Sequence, residues 1–386
     1  MKVSDKPLHI GIVAGEVSGD LLAAGLIKAL KKRYPKARFS GVAGENMRAA
    51  GAESLCYMEA LSVMGLVEVL KHLPRLLQIR RNVIQHFLND PPDIYIGVDA
   101  PDFNLPIERK LKLAGIPTVH YVSPTIWAWR EGRVHNIKRS VDRILGIFPF
   151  EQAIYNKHQI AFSYVGHSMA DSIPLEIDKT HIKQKLQIDE HKLLAILPGS
   201  RSREVSALLP DFLQTFVLLK QQVPALRAMI PAVNRARMQQ IQALLQGHPL
   251  QADIEVTRTA AREVMQASDA VLLASGTASL EAMLCKTPML VAYKMPALTY
   301  QMMKRLYKPD YFALPNILAN KALVPELLQE QVVPEAMCEL LLPMLRDQDP
   351  HRDELIAEFK TLHQTLACNA DESAAQAIQN ILDTQL

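Results

Sequence analysis

Short apolar runs alternate with longer helical patterns along almost the whole chain, and this alternation narrows the possible folds more than any other feature. In the first half the apolar runs fall at 8–14, 39–43, 94–98, 118–122, 143–147 and 162–165. Between them lie segments such as "SGDLLAAGLIKALKKRY", whose apolar positions recur at helical spacing and which close on cations. Strand, crossover helix, strand predicts a parallel sheet covered on both faces. The rhythm then restarts: "KLLAILPGSR" reads as a strand, a helix runs through Leu219, and "RAMIPAV" and "ADIEV" are further strands. The helix "AAREVMQAS", the stretch "LLASGTASLEAML" and an apolar strand after Pro288 follow. The predicted fold class is therefore α/β, with two Rossmann-like doubly wound domains facing a cleft. The domains are expected at 1–170 and 171–345, joined near 166–180. The chain reads as helical from about Pro334, and 346–386 is set apart as a segment that packs back on either domain.

The 386 residues suffice for two cores, and 49% hydrophobic with 22% charged is an ordinary globular balance. A net charge of +3 suits anionic substrates or an acidic membrane surface and is too small to argue for nucleic acid. Cys56, Cys285, Cys338 and Cys368 lie far apart with no CxxC pair, which argues against a disulfide framework and a zinc site. His120, His135, His158 and His167 lack HxxxH spacing, so no metal and no cofactor is expected. The N-terminal apolar run is too short for a signal peptide, and no run approaches ~18 apolar residues. The expected location is cytoplasmic, with membrane contact left open.

Ligands of open α/β sheets bind beyond the carboxyl ends of the strands. Four such ends carry polar clusters. In "ILPGSRSREV", Gly199 allows a tight turn, and Ser200 and Arg201 precede a helix whose start suits a phosphate; the plainer alternative is a capped turn with a solvated arginine. "ASGTASLEA" repeats that geometry with Ser275, Gly276, Thr277 and Ser279, and Glu281 either complements the helix dipole or accepts from a ribose diol. "IVAGEVSGD" lacks the G-x-G-x-x-G fingerprint, so Glu16 and Ser18 suit a sugar or a reacting hydroxyl, while Ser18 and Asp20 can equally be helix caps. "GVDAPDFN" sets Asp99 at a strand end, where a carboxylate can take a proton from an attacking alcohol. Asp102 is its rival, or organises the turn with Asn104.

Two further stretches are unusual. "HYVSPTIWAWREGR" holds both tryptophans beside Arg130 and Arg133; Trp127 and Arg130 suit a sugar or a headgroup phosphate, or else the tryptophans are core. In "LSVMGLVEVLKHLPRLLQIRR", Val63, Leu66, Val67, Leu70, Leu73 and Leu77 share a helical face that Met64, Val69 and Leu76 widen. Lys71, Arg75, Arg80 and Arg81 line the remainder, and Pro74 is expected to kink or interrupt the helix. A basic amphipathic stretch of this kind suits an anionic interface, the alternative being a core-facing helix. No P-loop and no G-x-S-x-G elbow is present.

Taken in order, "VAGEVSGD", "GVDAPDFN", "HYVSPTIWAWR", "VGHSMAD", "LPGSRSREV", "LLASGTASLEAML" and "LPNILA" resemble the lipid-A-disaccharide synthase family, glycosyltransferases of the two-Rossmann-domain type called GT-B. The resemblance runs nearly end to end. It implies transfer of 2,3-diacylglucosamine from its UDP derivative to the 6-hydroxyl of 2,3-diacylglucosamine 1-phosphate (lipid X), with inversion and loss of UDP. It also implies Asp99 as base, with Glu16 as the alternative base and Ser18 beside them, Arg201 and the Gly276 helix start on the departing UDP, Glu281 on the ribose and Asn316 towards the nucleotide or donor sugar. Acylated substrates imply contact with anionic lipids on the cytoplasmic face of the inner membrane. A homodimer is left open. The rival readings are a peptidoglycan N-acetylglucosamine transferase, a UDP-sugar 2-epimerase and a non-catalytic UDP-sugar-binding protein.

Overall fold

The computed structural model describes residues 7–58, 61, 66–188, 191–346 and 350–384, with the side chains of 66–72 and 298 outside that description. The chain forms two compact units: Met1–Asp171 with Leu366–Leu386, and Ser172–Thr365. The segment 346–386 thus divides at Leu366 rather than standing alone.

In the first unit β1 (His9–Ala14), β2 (Arg38–Ala43), β3 (Ala52–Tyr57), β4 (Ile94–Val98), β5 (Thr118–Tyr121), β6 (Arg143–Gly146) and β7 (Phe162–Tyr164) form one sheet in the order β3-β2-β1-β4-β5-β6-β7. Every pairing is parallel. β1 and β4 are buried along their whole length, as strands covered on both faces must be. The six predicted runs became strands; β3 was missed because "AESLCY" is half polar, which an edge strand tolerates. Ala374, Ala375, Ile378 and Leu382 of the last helix, Ala370–Asp383, pack into this unit's core.

The second unit carries β8 (Lys192–Leu197), β9 (Leu226–Pro231), β10 (Ile254–Thr257), β11 (Ala270–Ala274), β12 (Met289–Tyr293) and β13 (Glu326–Leu328), ordered β10-β9-β8-β11-β12-β13 and again parallel. The helix Pro334–Leu345 buries Met337, Leu341 and Leu345 in this core. In both sheets the strand order reverses at the first strand of the unit. That is where α/β folds place their ligand crevice.

One expectation is corrected. The helix Leu66–Asn89 runs through Pro74 without interruption. Of the predicted membrane contacts, Val63 and Met64 lie outside the described residues, as do the side chains of Leu66, Val67, Val69 and Leu70. Leu73 is 41% exposed, and Leu76 and Leu77 are half-buried. No helix among the described residues is long and apolar enough to cross a membrane.

Candidate active site

In the first unit the turns after β1 and β4 are pressed together. A Cβ on Gly15 would stand 2.6 Å from that of Ala100, so only glycine fits. Glu16 and Ser18 are exposed at the start of the helix Val17–Arg33, next to Val17 and Leu21, which are 70% and 63% exposed. Asp20 behaves differently from the expected cap of its own helix. It is buried and accepts from the Asn46 N–H (2.9 Å) and the Met47 N–H (3.1 Å), capping the neighbouring helix Glu45–Ala49.

Asp99 follows β4 in left-handed backbone (φ 53), as does Ala100 (φ 43). Two adjacent non-glycine residues in that region are strained and persist only where the surroundings hold them. Buried Asn104 does so, donating to the Asp99 carbonyl at 2.9 Å and to the Val98 carbonyl at 3.4 Å, while the Asp99 N–H reaches the Tyr121 carbonyl at 2.8 Å. The result presents a half-buried carboxylate whose Oδ1 accepts the Ala100 N–H at 2.8 Å. Asp102, the rival, is exposed and paired with Arg133.

Beyond β5 the half-buried Trp127 packs edge-on to Phe150 at 4.9 Å, and Phe150 stacks on Phe148 at 5.4 Å. Arg130 lies 3.8 Å above Trp129 rather than Trp127. Glu151 beside this cluster is buried, and burial pushes its carboxyl up to about 8. Phe148, Phe150 and Glu151 were not singled out from the sequence, because they gather only when β6 is laid beside β5.

In the second unit Gly199 has φ +114, and a Cβ there would meet Glu204 at 2.6 Å. Glu204 is the residue that the sequence reading missed. Its Oε2 accepts the N–H of Ser200 (3.1 Å) and of Arg201 (3.2 Å), and its Oε1 takes the Arg201 guanidinium at 2.9 Å. The donors expected for a phosphate thus already hold a carboxylate, the nearest protein analogue of one. The usual capping-box signature was hidden because arginine, not serine, stands at the cap.

Gly276 caps the helix Thr277–Leu284, with open space where its side chain would be. Thr277 and Ala278 begin that helix, where N–H groups lack intrahelical acceptors, and Thr277 is exposed. Ser275 is half-buried at the end of β11, its hydroxyl 3.5 Å from the Phe312 carbonyl. Glu281 pairs with Arg262 at 3.2 Å. Two residues turn inward. Ser279 is fully buried and bonds the Gly276 carbonyl at 2.8 Å. Asn316 donates to Val324 O (2.8 Å) and Glu326 (2.5 Å) and accepts from Leu323 and Val324, so its expected reach to a nucleotide has no free donor or acceptor behind it here.

A family model described as lipid-A-disaccharide synthetase matches residues 10–378. The chain belongs to that family. It is 52% identical to the lipid-A-disaccharide synthase of Haemophilus influenzae Rd over 97% of each chain, and 51% identical to that of Alteromonas mediterranea over 97% of this chain and 98% of the other. Among solved structures it is similar to a UDP-GlcNAc 2-epimerase from Neisseria meningitidis bound to UDP-GlcNAc (TM-score 0.67, 14% identity, 97% and 100% covered). It is also similar to the glycotransferase of kitacinnamycin (TM-score 0.63, 16% identity, 97% and 99% covered). At those identities the structural likeness speaks for the GT-B fold alone. The enzyme is a glycosyltransferase of lipid A biosynthesis.

Proposed function

We propose that the enzyme moves 2,3-diacylglucosamine from UDP-2,3-diacylglucosamine to the 6-hydroxyl of 2,3-diacylglucosamine 1-phosphate, with inversion at the anomeric carbon. The observation that carries this reading is identity near 50% over almost the full length to enzymes named for the product. In the step, Asp99 takes the proton of the acceptor hydroxyl, whose oxygen attacks the anomeric carbon while the bond to UDP breaks. The bonding pair leaves with UDP. Glu16, Ser18, Trp127 and Arg130 serve the acceptor. Charge growing on the departing diphosphate is met by Arg201, Ser200 with its Gly199 turn, and the helix start at Gly276 and Thr277, donors of a kind worth on the order of 10²–10³ in rate each. Glu281 accepts from the ribose while Ser275 and Ser279 shape that loop. Asn316 supports the loop 312–326 around the nucleotide. No metal takes part.

Both substrates carry acyl chains, so the enzyme works at a bilayer surface, with the Leu73, Leu76 and Leu77 side of Leu66–Asn89 against anionic headgroups on the cytoplasmic face of the inner membrane. The test is UDP release in detergent micelles, with and without the acceptor. Release that requires the acceptor, yields a disaccharide and survives a chelator is expected. Asp99→Ala should abolish turnover and spare UDP binding; Arg201→Ala should weaken both. Release without acceptor would argue for an epimerase or hydrolase, and retained turnover in Asp99→Ala would remove Asp99 as base.

A further inference from the structure

The helix Pro101–Leu113 buries a line of polar groups against β4 and β5, next to the turn that carries Asp99. Asn104 and Glu108 lie four residues apart and share the inner face of that helix, while Tyr95 and Gly97 share one face of β4. Tyr95, Asn104, Glu108 and His120 are all fully buried. Gly97 makes room for them: a Cβ there would stand 2.1 Å from Oε1 of Glu108 and 2.9 Å from the Asn104 Cβ. Its register partner on β5 is His120, whose Nδ1 lies 2.7 Å from the same Glu108 oxygen. The Glu108–His120 pair thus fastens the helix to the sheet two residues short of Asp99.

The second link has a direction. The Tyr95 hydroxyl donates to Oδ1 of Asn104 at 3.2 Å, while Nδ2 of the same amide donates to the carbonyls of Val13 (3.3 Å), Val98 (3.4 Å) and Asp99 (2.9 Å). Turned over, the amide would aim its oxygen at three carbonyl oxygens. A donor on the oxygen side therefore sets which way it points. The Tyr95 phenol is kept as that donor, because burial, with the Glu108 carboxyl adding to it, raises its pKa well above the ordinary phenol value. Its ring is held edge-on by Phe87 at 5.5 Å. Packing alone would be better met by apolar side chains, since Oε2 of Glu108 and Nε2 of His120 find no partner among the described residues. What the polar groups add is one fixed geometry.

We propose that Tyr95 is a positioning residue for the reaction. Acting through Asn104, on a helix held by Glu108 and His120, it sets the left-handed turn that aims the Asp99 carboxylate. This rests on the reading of Asp99 as the base and goes beyond it by naming what orients that base.

The test compares full-length Tyr95→Phe, which removes one hydroxyl and keeps the ring, with the parent enzyme in the micelle assay. Turnover number kcat should fall about tenfold, an error of about 1 Å at a reacting group being worth about 10²-fold. KM for both substrates and the Kd for UDP should stay unchanged. Asn104→Ala should lower kcat at least as far, and Tyr95→Phe added to it should cause no further loss, because the two act in series. The Ala100 N–H, which donates to Oδ1 of Asp99, reports the turn itself, and its amide resonance should shift in Tyr95→Phe. Asp99→Asn separates the two readings. Retained turnover in that variant would remove the base and the proposal with it. An inactive Asp99→Asn beside a Tyr95→Phe enzyme with parental kcat, or with an unmoved Ala100 resonance, would overturn the positioning role alone. Losses that add in the double variant, or a rise in KM as large as the fall in kcat, would overturn it too, since they mark a general loosening of the fold.

Discussion

Asp99 and Ala100 owe their left-handed backbone to one amide. Each such residue costs about 1–2 kcal/mol, and Asn104 holds both by donating to the carbonyls of Val98 and Asp99. Asn104→Ala leaves buried carbonyls unmet, so the fold should lose about 1–3 kcal/mol in chemical denaturation. Turnover should fall more than KM rises, because the carboxylate is displaced rather than removed. The second residue-scale prediction concerns Glu204, whose carboxylate occupies the N–H groups of Ser200 and Arg201. A glutamine can keep the cap yet competes more weakly with a phosphate, since charge-assisted bonds are roughly twice as strong as neutral ones. Glu204→Gln should therefore bind UDP about tenfold more tightly by calorimetry, a gain of about 1.4 kcal/mol. Unchanged or weaker affinity would mean that the carboxylate is a permanent cap.

At the scale of elements, the junction of β6 with the helix Glu151–Lys157 stores a pH dependence. Burial raises the Glu151 carboxyl from 4.5 to about 8, so it is mostly protonated at neutral pH. Its stabilising contribution is complete below about pH 4.5 and is lost as pH rises through about 8. His167 acts from the other side: burial lowers its imidazole from 6.5 to about 4, so its contribution is complete above 6.5 and fades as pH falls through about 4. Glu151→Gln mimics the neutral acid. Its unfolding free energy should match the parent near pH 4.5 and exceed it increasingly towards pH 8, by about 1 kcal/mol per pH unit, read by chemical denaturation across that range. Parallel curves for the two proteins would show that the carboxyl titrates normally.

For the whole molecule, the consequential feature is that the chain returns to its first unit at Leu366. The helix Ala370–Asp383 buries its apolar face there and is clamped by Lys32–Glu372 (2.8 Å) and by Arg33 on Gln376 and Gln379. Exposed ion pairs contribute little, so the apolar face carries the docking. Ending the chain at Leu366 should uncover the face of the helix Val17–Arg33 and lower the melting of the first unit by several degrees. Calorimetry should then resolve two transitions, with the second unit unaltered. A single transition at the parent temperature would show that the last helix contributes no stability.

Strand identity was legible in advance because a strand covered on both faces must be apolar throughout, and β4 as "IYIGV" has no other economical place. The polar turns that end these strands were legible too, since glycine, serine and carboxylates have a physical reason to stand there. Edge strands β3 and β13 were not, for half their surface is free to be polar. Nor could the sequence say which polar groups are already satisfied. Asp20 caps a helix from another part of the chain, Glu204 fills the donors beside it, and Asn316 spends its whole amide on the loop that leads to Glu326. Local pattern determines which elements form and where their polar ends lie. Only the folded structure decides which of those polar atoms remain for a ligand, because it alone shows which bonds are closed, whether by a near neighbour, as Glu204 does for Ser200 and Arg201, or by a distant segment, as Asp20 does for Asn46.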